Sequence, residues 1–278
     1  MNTAIGQLPC VTAALTYLEP MPCKPHCLEY EAPPGVPRST ATFRDHKVTI
    51  RDVRSVASGL SLDREGFRLI TAASSLSDFN DEYAIQTRYY GEIVSLLKRW
   101  TGASRVVVFD HTIRRRVPGA TESRGKIPRQ PVPRVHVDYT ALSAPQRVRD
   151  LLGAEASNLL RSRFSVINVW RPIRGPVEDM PLALADAQSI ASDDLVATDL
   201  IYPDRIGEIY YVKFSPSQRW FYASGMRQDE VMLIKCFDSA DDGRARFTPH
   251  AAFVDPTTPD GALPRESIEL RTLVFYGD

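Results

Sequence analysis

Histidine and cysteine are both scarce in this chain. Among its 278 residues there are five histidines and four cysteines. So few cysteines do not form a disulfide framework, which small secreted domains build from a much denser set. Any metal site or imidazole base must therefore draw on His26, His46, His111, His136 and His250.

One short segment, Cys23-Lys-Pro-His26-Cys27, superficially suggests zinc. A structural zinc site needs four ligands at paired spacings, and no second Cys/His pair lies nearby. We interpret this segment as a surface loop that carries thiols; Cys10, Cys23, Cys27 and Cys236 could be paired in principle.

The sequence also lacks net charge and long apolar runs. Its 34 Lys and Arg balance 34 Asp and Glu, so the formal net charge of zero gives no long-range attraction to nucleic acid or to an anionic membrane. The apolar runs are far shorter than the roughly 20 residues that span a bilayer. The first 15 residues lack a basic segment followed by an apolar stretch. We expect a cytoplasmic protein without a nucleic-acid or membrane partner.

Short strands dominate the predicted secondary structure. Residues 1–40 are rich in proline and are predicted to form an extended arm over the body of the protein. Helices are predicted over 81–100 and 145–163. Strands are predicted over 47–51, 66–71, 105–109, 164–170, 207–214, 218–223, 230–237, 246–253 and 267–276. This pattern of short strands favours a mainly β, double-sheet jelly roll with flanking helices. We expect a single domain over 1–278, whose jelly-roll core begins at about residue 105.

The segment His136-Val-Asp138 has the spacing of a metal site in a strand. Residues i and i+2 of a strand point to the same face, so the imidazole and the carboxylate can converge on one ion. Non-haem iron sites need a second imidazole and keep open positions for substrate and oxygen. His250 alone lies C-terminal to Asp138, within a predicted strand. A buried structural histidine is the competing interpretation.

An arginine pattern follows the distal histidine. An enzyme that uses a 2-oxo acid must hold the far carboxylate, which the planar guanidinium does best. Arg265 and Ser267 share one face of a predicted strand and could grip one carboxylate. Arg271 shares that parity and is a rival, while surface ion pairs with Glu266 or Glu269 are the simpler alternative for both arginines.

With these residues in place, the sequence resembles the iron(II)/2-oxoglutarate-dependent oxygenases related to the cephamycin methoxylation protein CmcJ, the fungal gibberellin desaturase, AsaB and NvfI. The similar segments are collinear and lie at 66–69, 89–93, 101–111, 136–140, 168–173, 218–222, 229–239, 249–256 and 264–271. The resemblance implies a cupin-like double-stranded β-helix with iron(II) on His136, Asp138 and His250. It also implies 2-oxoglutarate held by an arginine near the C-terminus, and oxidation of a small-molecule natural product by molecular oxygen in secondary metabolism.

Further residues become candidates by position. Asn168 is assigned to the cofactor-binding set with Arg265, Ser267 and Arg271. Trp170, Gln218, Trp220 and Tyr222 are assigned to the substrate pocket, where the rings could pack on substrate and the amide could orient a carboxylate. Ordinary packing in the barrel core is the simpler interpretation of these positions. Segments 118–133 and 175–204 are predicted as a connector and a solvated loop over the site.

Two other functions stay open from the sequence. One is an iron oxidase of the isopenicillin N synthase type, which takes its electrons from the substrate and needs no 2-oxoglutarate. The other is a non-catalytic jelly-roll binding protein whose His and Asp hold no metal. A homodimer is a common assembly among soluble enzymes and is a further prediction.

Overall fold

Two mostly antiparallel sheets form the body of the protein. The computed structural model describes residues 6–120 and 128–277. The strands in chain order are β1 (Cys10–Leu18), β2 (His26–Leu28), β3 (Phe43–Asp52), β4 (Phe67–Thr71), β5 (Arg105–Arg115), β6 (His136–Val137), β7 (Phe164–Arg174), β8 (Leu182–Ala185), β9 (Leu195–Ile201), β10 (Ile206–Val212), β11 (Trp220–Tyr222), β12 (Glu230–Asp238), β13 (His250–Ala252) and β14 (Glu266–Phe275). A nine-stranded sheet has the order β1-β3-β11-β8-β13-β6-β10-β9-β2, and a five-stranded sheet has the order β4-β12-β7-β14-β5.

Helices are few and lie outside the sheets. The α-helices are α1 (Glu82–Ala84), α2 (Tyr90–Thr101), α3 (Ser143–Leu152) and α4 (Ala156–Leu159). A π-helical segment (Ile85–Tyr89) joins α1 to α2, and short 3-10 turns cover Arg54–Gly59, Gly153–Glu155, Ala187–Ser189 and Ser192–Asp194. The predicted helix over 145–163 is divided because Gly153 has φ of 48° and ψ of −119°, a conformation that glycine tolerates and that ends the α-helix.

Alternation along β7, β12 and β14 divides their side chains between two cores. The inward side chains, such as Trp170, Met232 and Leu273, pack between the sheets. The side chains between them, such as Val169 and Leu233, pack under α2 on the outer face of the five-stranded sheet. Both faces of this sheet are therefore buried, which explains the nearly continuous apolar runs of these strands.

The N-terminal segment contributes two strands to the larger sheet. The prolines of the arm leave 10–18 free, and there β1 buries every second residue and pairs with β3. Its second strand, β2, pairs with β9 at the opposite edge of the sheet. The sheets thus include strands that precede residue 105, where the jelly-roll core was expected to begin.

The predicted solvated loop over 175–204 also needs correction. Within it, β8 pairs with β11 and β13 in the middle of the larger sheet, and β9 pairs with β10. Of the predicted connector 118–133, residues 121–127 lie outside the described part of the chain. None of the described helices is long and apolar enough to cross a membrane. The single domain and the homodimer stay predictions.

Candidate metal centre

Three predicted ligands meet between the two sheets. His136 of β6 and His250 of β13 are directly opposed in the antiparallel register, with ring centroids 4.5 Å apart. Asp138 follows two residues after His136, and its Oδ1 lies 3.5 Å from the Nε2 atom of His136. One ligand atom from each of the three residues lies within 4.8 Å of the others. Cross-strand pairing and the i, i+2 repeat together produce this cluster.

Backbone carbonyls orient both imidazoles. His136 Nδ1 lies 2.8 Å from the carbonyl oxygen of Arg134, and His250 Nδ1 lies 3.1 Å from that of Thr248. A carbonyl can only accept, so each neutral ring carries its proton on Nδ1 and leaves the Nε2 lone pair free. Burial, together with the neighbouring His136, lowers the pKa of His250 and favours this neutral form. The pair therefore has the tautomers that metal ligands need.

The carboxylate of Asp138 is held through one oxygen only. Its Oδ2 accepts hydrogen bonds from Asn168 Nδ2 at 2.7 Å and from Arg271 Nε at 3.1 Å. Burial on its own would raise the pKa of Asp138, but the charge of Arg271 outweighs it and holds the pKa well below its usual range. The side chain is ionised, and Oδ1 faces the histidines. Two imidazoles and one carboxylate in this arrangement fit the facial ligand set of non-haem iron.

A narrow cavity adjoins the histidines. Its lining residues include His136, Trp170, His250, Arg265 and Glu269, together with Arg114. The Arg265 side chain is buried, and its Nη1 donates to the carbonyl oxygen of Met180 at 2.6 Å. Its Nε has no hydrogen-bond partner within the described residues. A buried guanidinium with a free donor fits a carboxylate ligand.

The charge of Arg265 is also incompletely balanced. Burial and the neighbouring Arg114 lower its pKa to about 9, which still leaves the group positive at neutral pH. Ser267 shares the inward face of β14 with Arg265 and Glu269, because these residues alternate with the outward-facing Ile268 and Leu270.

Arg271 has a different environment from Arg265. Besides Asp138, its guanidinium donates to Asp110 at 3.0 Å, to Thr112 at 3.0 Å and to Glu269 at 2.9 Å. Each of its three nitrogens thus has a protein acceptor. Because its donors already hold Asp138 and its surroundings, the geometry favours Arg265 over Arg271 for the cosubstrate, and the role of Arg271 in cosubstrate binding stays a prediction.

Asn168 and Trp170 lie where parity predicted, on the inward face of β7. Trp170 lines the narrow cavity, and the guanidinium carbon of Arg265 lies 5.5 Å from its ring centroid. The Asn168 amide donates a hydrogen bond to the Asp138 carboxylate. This contact favours a role in holding the proposed metal ligand over the predicted role in binding the cosubstrate.

Three predicted pocket residues lie away from the metal centre. Trp220 and Tyr222 belong to a core cluster on the face of the larger sheet opposite to His250. Gln218 donates to Asp194 and to the carbonyl oxygen of Lys213. This corrects their assignment to the substrate pocket, because parity places the two rings together but does not say which buried face they occupy.

A cleft of about 690 Å³ opens beside Asp138. Asp138, Tyr139 and Arg271 lie in its wall, α3 forms one side and the β9–β10 hairpin forms another. Sequence reasoning missed Arg114 and Glu269 in the narrow cavity and Arg147 of α3 in the cleft. Parity could have found Glu269, whereas Arg147 carries no local signal because it lies in an ordinary amphipathic helix.

Comparisons with known proteins agree with this geometry. A family model described as "Oxidoreductase/YMDC permease-like domain" matches residues 15–275. The chain is 36% identical over 259 residues to the hydroxylase/desaturase efuI of Hormonema carpetanum, with 85% of each chain covered. It is 36% identical over 251 residues to the Fe(II)/2-oxoglutarate-dependent dioxygenase nvfI of Aspergillus novofumigatus, with 88% of each covered.

A solved structure described as the iron and alpha-ketoglutarate-dependent endoperoxidase NvfI superposes with a TM-score of 0.87 at 33% sequence identity. The match covers 97% of this chain and 99% of that chain. The predicted fold class is thereby confirmed.

Proposed function

The chain belongs to the oxidoreductase family that contains these hydroxylase/desaturases and Fe(II)/2-oxoglutarate-dependent dioxygenases, and we propose that it binds iron(II) through His136, Asp138 and His250 and uses 2-oxoglutarate as cosubstrate. The family confirms the predicted class of enzyme over the two alternatives. The single observation that carries the ligand assignment is the convergence of the three donor atoms within 4.8 Å.

Iron(II) with 2-oxoglutarate would supply the oxidation of a substrate C–H bond by molecular oxygen, coupled to decarboxylation of the 2-oxo acid to succinate. Asn168 and Arg271 fix the ligand oxygen of Asp138 by occupying the other oxygen. The carbonyls of Arg134 and Thr248 fix the tautomers of the histidines. These contacts hold the ligand set in advance, so little reorganisation is needed when the metal binds.

Arg265 and Ser267 bind the distal carboxylate of 2-oxoglutarate in this proposal. The unpartnered Nε of Arg265 supports that role, since a carboxylate would satisfy it and neutralise the charge. Trp170 walls the cavity and excludes water from it. The substrate, a small-molecule natural product, enters from the cleft, where Asp138 and Arg271 lie in the wall.

Metal titration tests the ligand assignment. Full-length protein under nitrogen should bind stoichiometric iron(II), and in air it should release succinate from 2-oxoglutarate. His136→Ala and His250→Ala should lose both properties. His46→Ala is the matched control, because His46 stacks on Phe214 with ring centroids 4.1 Å apart, remote from the ligand cluster, and it should retain both. Iron binding and succinate release that survive in His136→Ala would overturn the assignment.

A further inference from the structure

The carboxylates of the cleft beside Asp138 already have partners. These carboxylates belong to Asp110, Asp138, Asp150, Asp199 and Glu208. Arg271 pairs with the first two, and Lys24 lies 2.5 Å from both Asp199 and Glu208. Asp150 accepts a hydrogen bond from Gln146. Two cations thus pair with four of these carboxylates, and the fifth accepts a hydrogen bond from a neutral amide.

Arg147, on α3, is a charged residue of the same cleft that lacks such a partner. Its guanidinium carbon lies 5.2 Å from the ring centroid of Phe109, and it pairs with no carboxylate of the described residues. Its Nε is buried and has no hydrogen-bond acceptor in that same part of the chain. A desolvated N–H of a charged group that lacks an acceptor costs free energy, so this group favours a ligand that supplies one.

The surroundings of Arg147 connect it to the metal centre. Phe109 contacts the ring of Tyr139 edge to face, with centroids 6.4 Å apart, and Tyr139 follows Asp138 directly. Arg147, Tyr139 and Asp138 all line the same cleft. Of these two rings, that of Tyr139 lies in the wall of the cleft, so a ligand oxygen bound by Arg147 would belong to a molecule whose body lies against Tyr139, next to the proposed iron ligand Asp138.

We propose that Arg147 is a specificity-determining residue which binds an anionic oxygen, such as a carboxylate or an enolate, on an aromatic or otherwise flat apolar substrate. The inference rests on the proposed function, because it concerns the substrate of the same site. It narrows the substrate class from any small natural product to a small organic acid. The guanidinium suits this role because it gives a planar, charge-assisted pair of hydrogen bonds.

A matched pair of probes tests the charge preference. The probes are 2-naphthoate and 2-naphthamide, which share a ring system and differ in charge. Their binding is measured by calorimetry on the full chain under nitrogen, with iron(II) and saturating 2-oxoglutarate present. Wild-type protein should bind the acid about tenfold more tightly than the amide, as one charge-assisted hydrogen bond predicts. Arg147→Gln should bring the two affinities within about twofold.

Three further variants keep the result interpretable. Arg147→Lys keeps the charge without the planar fork and should retain part of the preference. Arg149→Gln removes an exposed arginine from the same helix and should leave the preference unchanged. Arg265→Gln should also leave it unchanged once the 2-oxoglutarate concentration is raised enough to saturate this variant, because the cosubstrate then occupies that site.

The inference is overturned if wild-type protein does not prefer the acid, or if Arg147→Gln keeps the full preference. A preference lost in Arg265→Gln and kept in Arg147→Gln would equally overturn it, by assigning the acid to the cosubstrate cavity. Iron content and succinate release are measured on the same preparations. These two measurements test the proposed function separately, so a failure of the Arg147 inference can be distinguished from a failure of the proposed function.

Discussion

The Nε atom of Arg271 lies 3.1 Å from Oδ2 of Asp138, the oxygen that also accepts the Asn168 amide. Oδ1 of the same carboxylate is left facing His136. An arginine that sequence parity offered as a cosubstrate anchor is therefore a positioning residue for a proposed metal ligand. Contacts of this kind tune metal affinity because they fix the direction of the ligand lone pairs.

Arg271→Gln should weaken iron(II) binding by about tenfold to a hundredfold, the usual effect of losing an outer partner of a metal ligand. Asp138 would keep only the Asn168 hydrogen bond and would be free to rotate. Anaerobic iron(II) titration of the folded variant measures the change. Arg115→Gln removes a partly exposed arginine that pairs with Glu266, and it should not alter the affinity. An unchanged iron affinity in Arg271→Gln would contradict the prediction.

Arg265→Gln should raise the KM for 2-oxoglutarate by about tenfold to a hundredfold, which corresponds to one lost charge-assisted hydrogen bond. Its iron(II) affinity without 2-oxoglutarate should stay close to that of the wild type, unlike that of Arg271→Gln. Succinate release as a function of 2-oxoglutarate concentration gives the KM. The control is Arg174→Gln, whose arginine pairs with Glu266 and is 44% exposed. A wild-type KM in Arg265→Gln would assign the anchor elsewhere.

Parity in the sequence predicted which side chains share a face, and this held for the residues of the metal centre. His136 with Asp138, and Asn168 with Trp170, lie on common faces because the strand repeat is exact over two residues. Trp220 and Tyr222 share a face too, but it is the one opposite to His250. The alternation of apolar and polar residues reveals the inner face only when the outer face is solvated, and here both faces are buried.

The segment 175–204 shows a second limit. Its aspartates suggested a solvated loop, yet Asp186 caps the 3-10 turn that follows it and pairs with Arg219. The strand β8, which ends directly before Asp186, has four residues, too few to show a period of two. Short strands in the middle of a sheet are specified by long-range pairing, which local patterns do not report.

Asp238→Asn should destabilise the protein by about 3 kcal/mol at neutral pH, because it leaves a buried cation with a weaker partner. The Asp238 side chain is fully buried, and its Oδ2 lies 2.6 Å from Arg163 Nη2 and 2.8 Å from the Nζ of the buried Lys235. Urea unfolding of the wild type and of Asp238→Asn at pH 7 measures the difference in their free energies of unfolding. Asp242→Asn, which changes a half-exposed carboxylate paired with Arg244, is the control and should cost much less.

The difference in stability between the wild type and Asp238→Asn should depend on pH. Burial alone would raise the pKa of Asp238, but the hydrogen bond from Arg163 and the charge of Lys235 outweigh it and lower the pKa. A lowered folded-state pKa means that this stabilisation is complete above the unfolded value of about 3.9 and is lost as the pH falls through the folded value. The stability gap should thus be constant from about pH 7 to 5 and shrink below about pH 4. A gap that widens in acid would refute this assignment.

Gly66→Ala should lower both stability and iron affinity, although Gly66 is remote in sequence from every proposed ligand. Gly66 has φ of 85°, and a Cβ there would overlap the hydroxyl of Thr248. That hydroxyl donates to the Gly66 carbonyl at 3.0 Å, and the Thr248 carbonyl accepts from His250 Nδ1. Displacing Thr248 would therefore tilt the His250 ring. We expect a loss of about 3 kcal/mol from backbone strain and overlap together.

Gly243→Ala separates these two effects. Gly243 has φ of 91°, but a Cβ there would meet no atom within 4 Å. The control should therefore show only the strain of a left-handed backbone, about 1 to 2 kcal/mol, with unchanged iron affinity. Urea unfolding and anaerobic iron(II) titration of both variants measure the two quantities. Equal iron affinities in the two variants would mean that Thr248 does not set the orientation of His250, because the two substitutions share the strain and differ in the contacts at Gly66, of which the overlap with Thr248 is the closest.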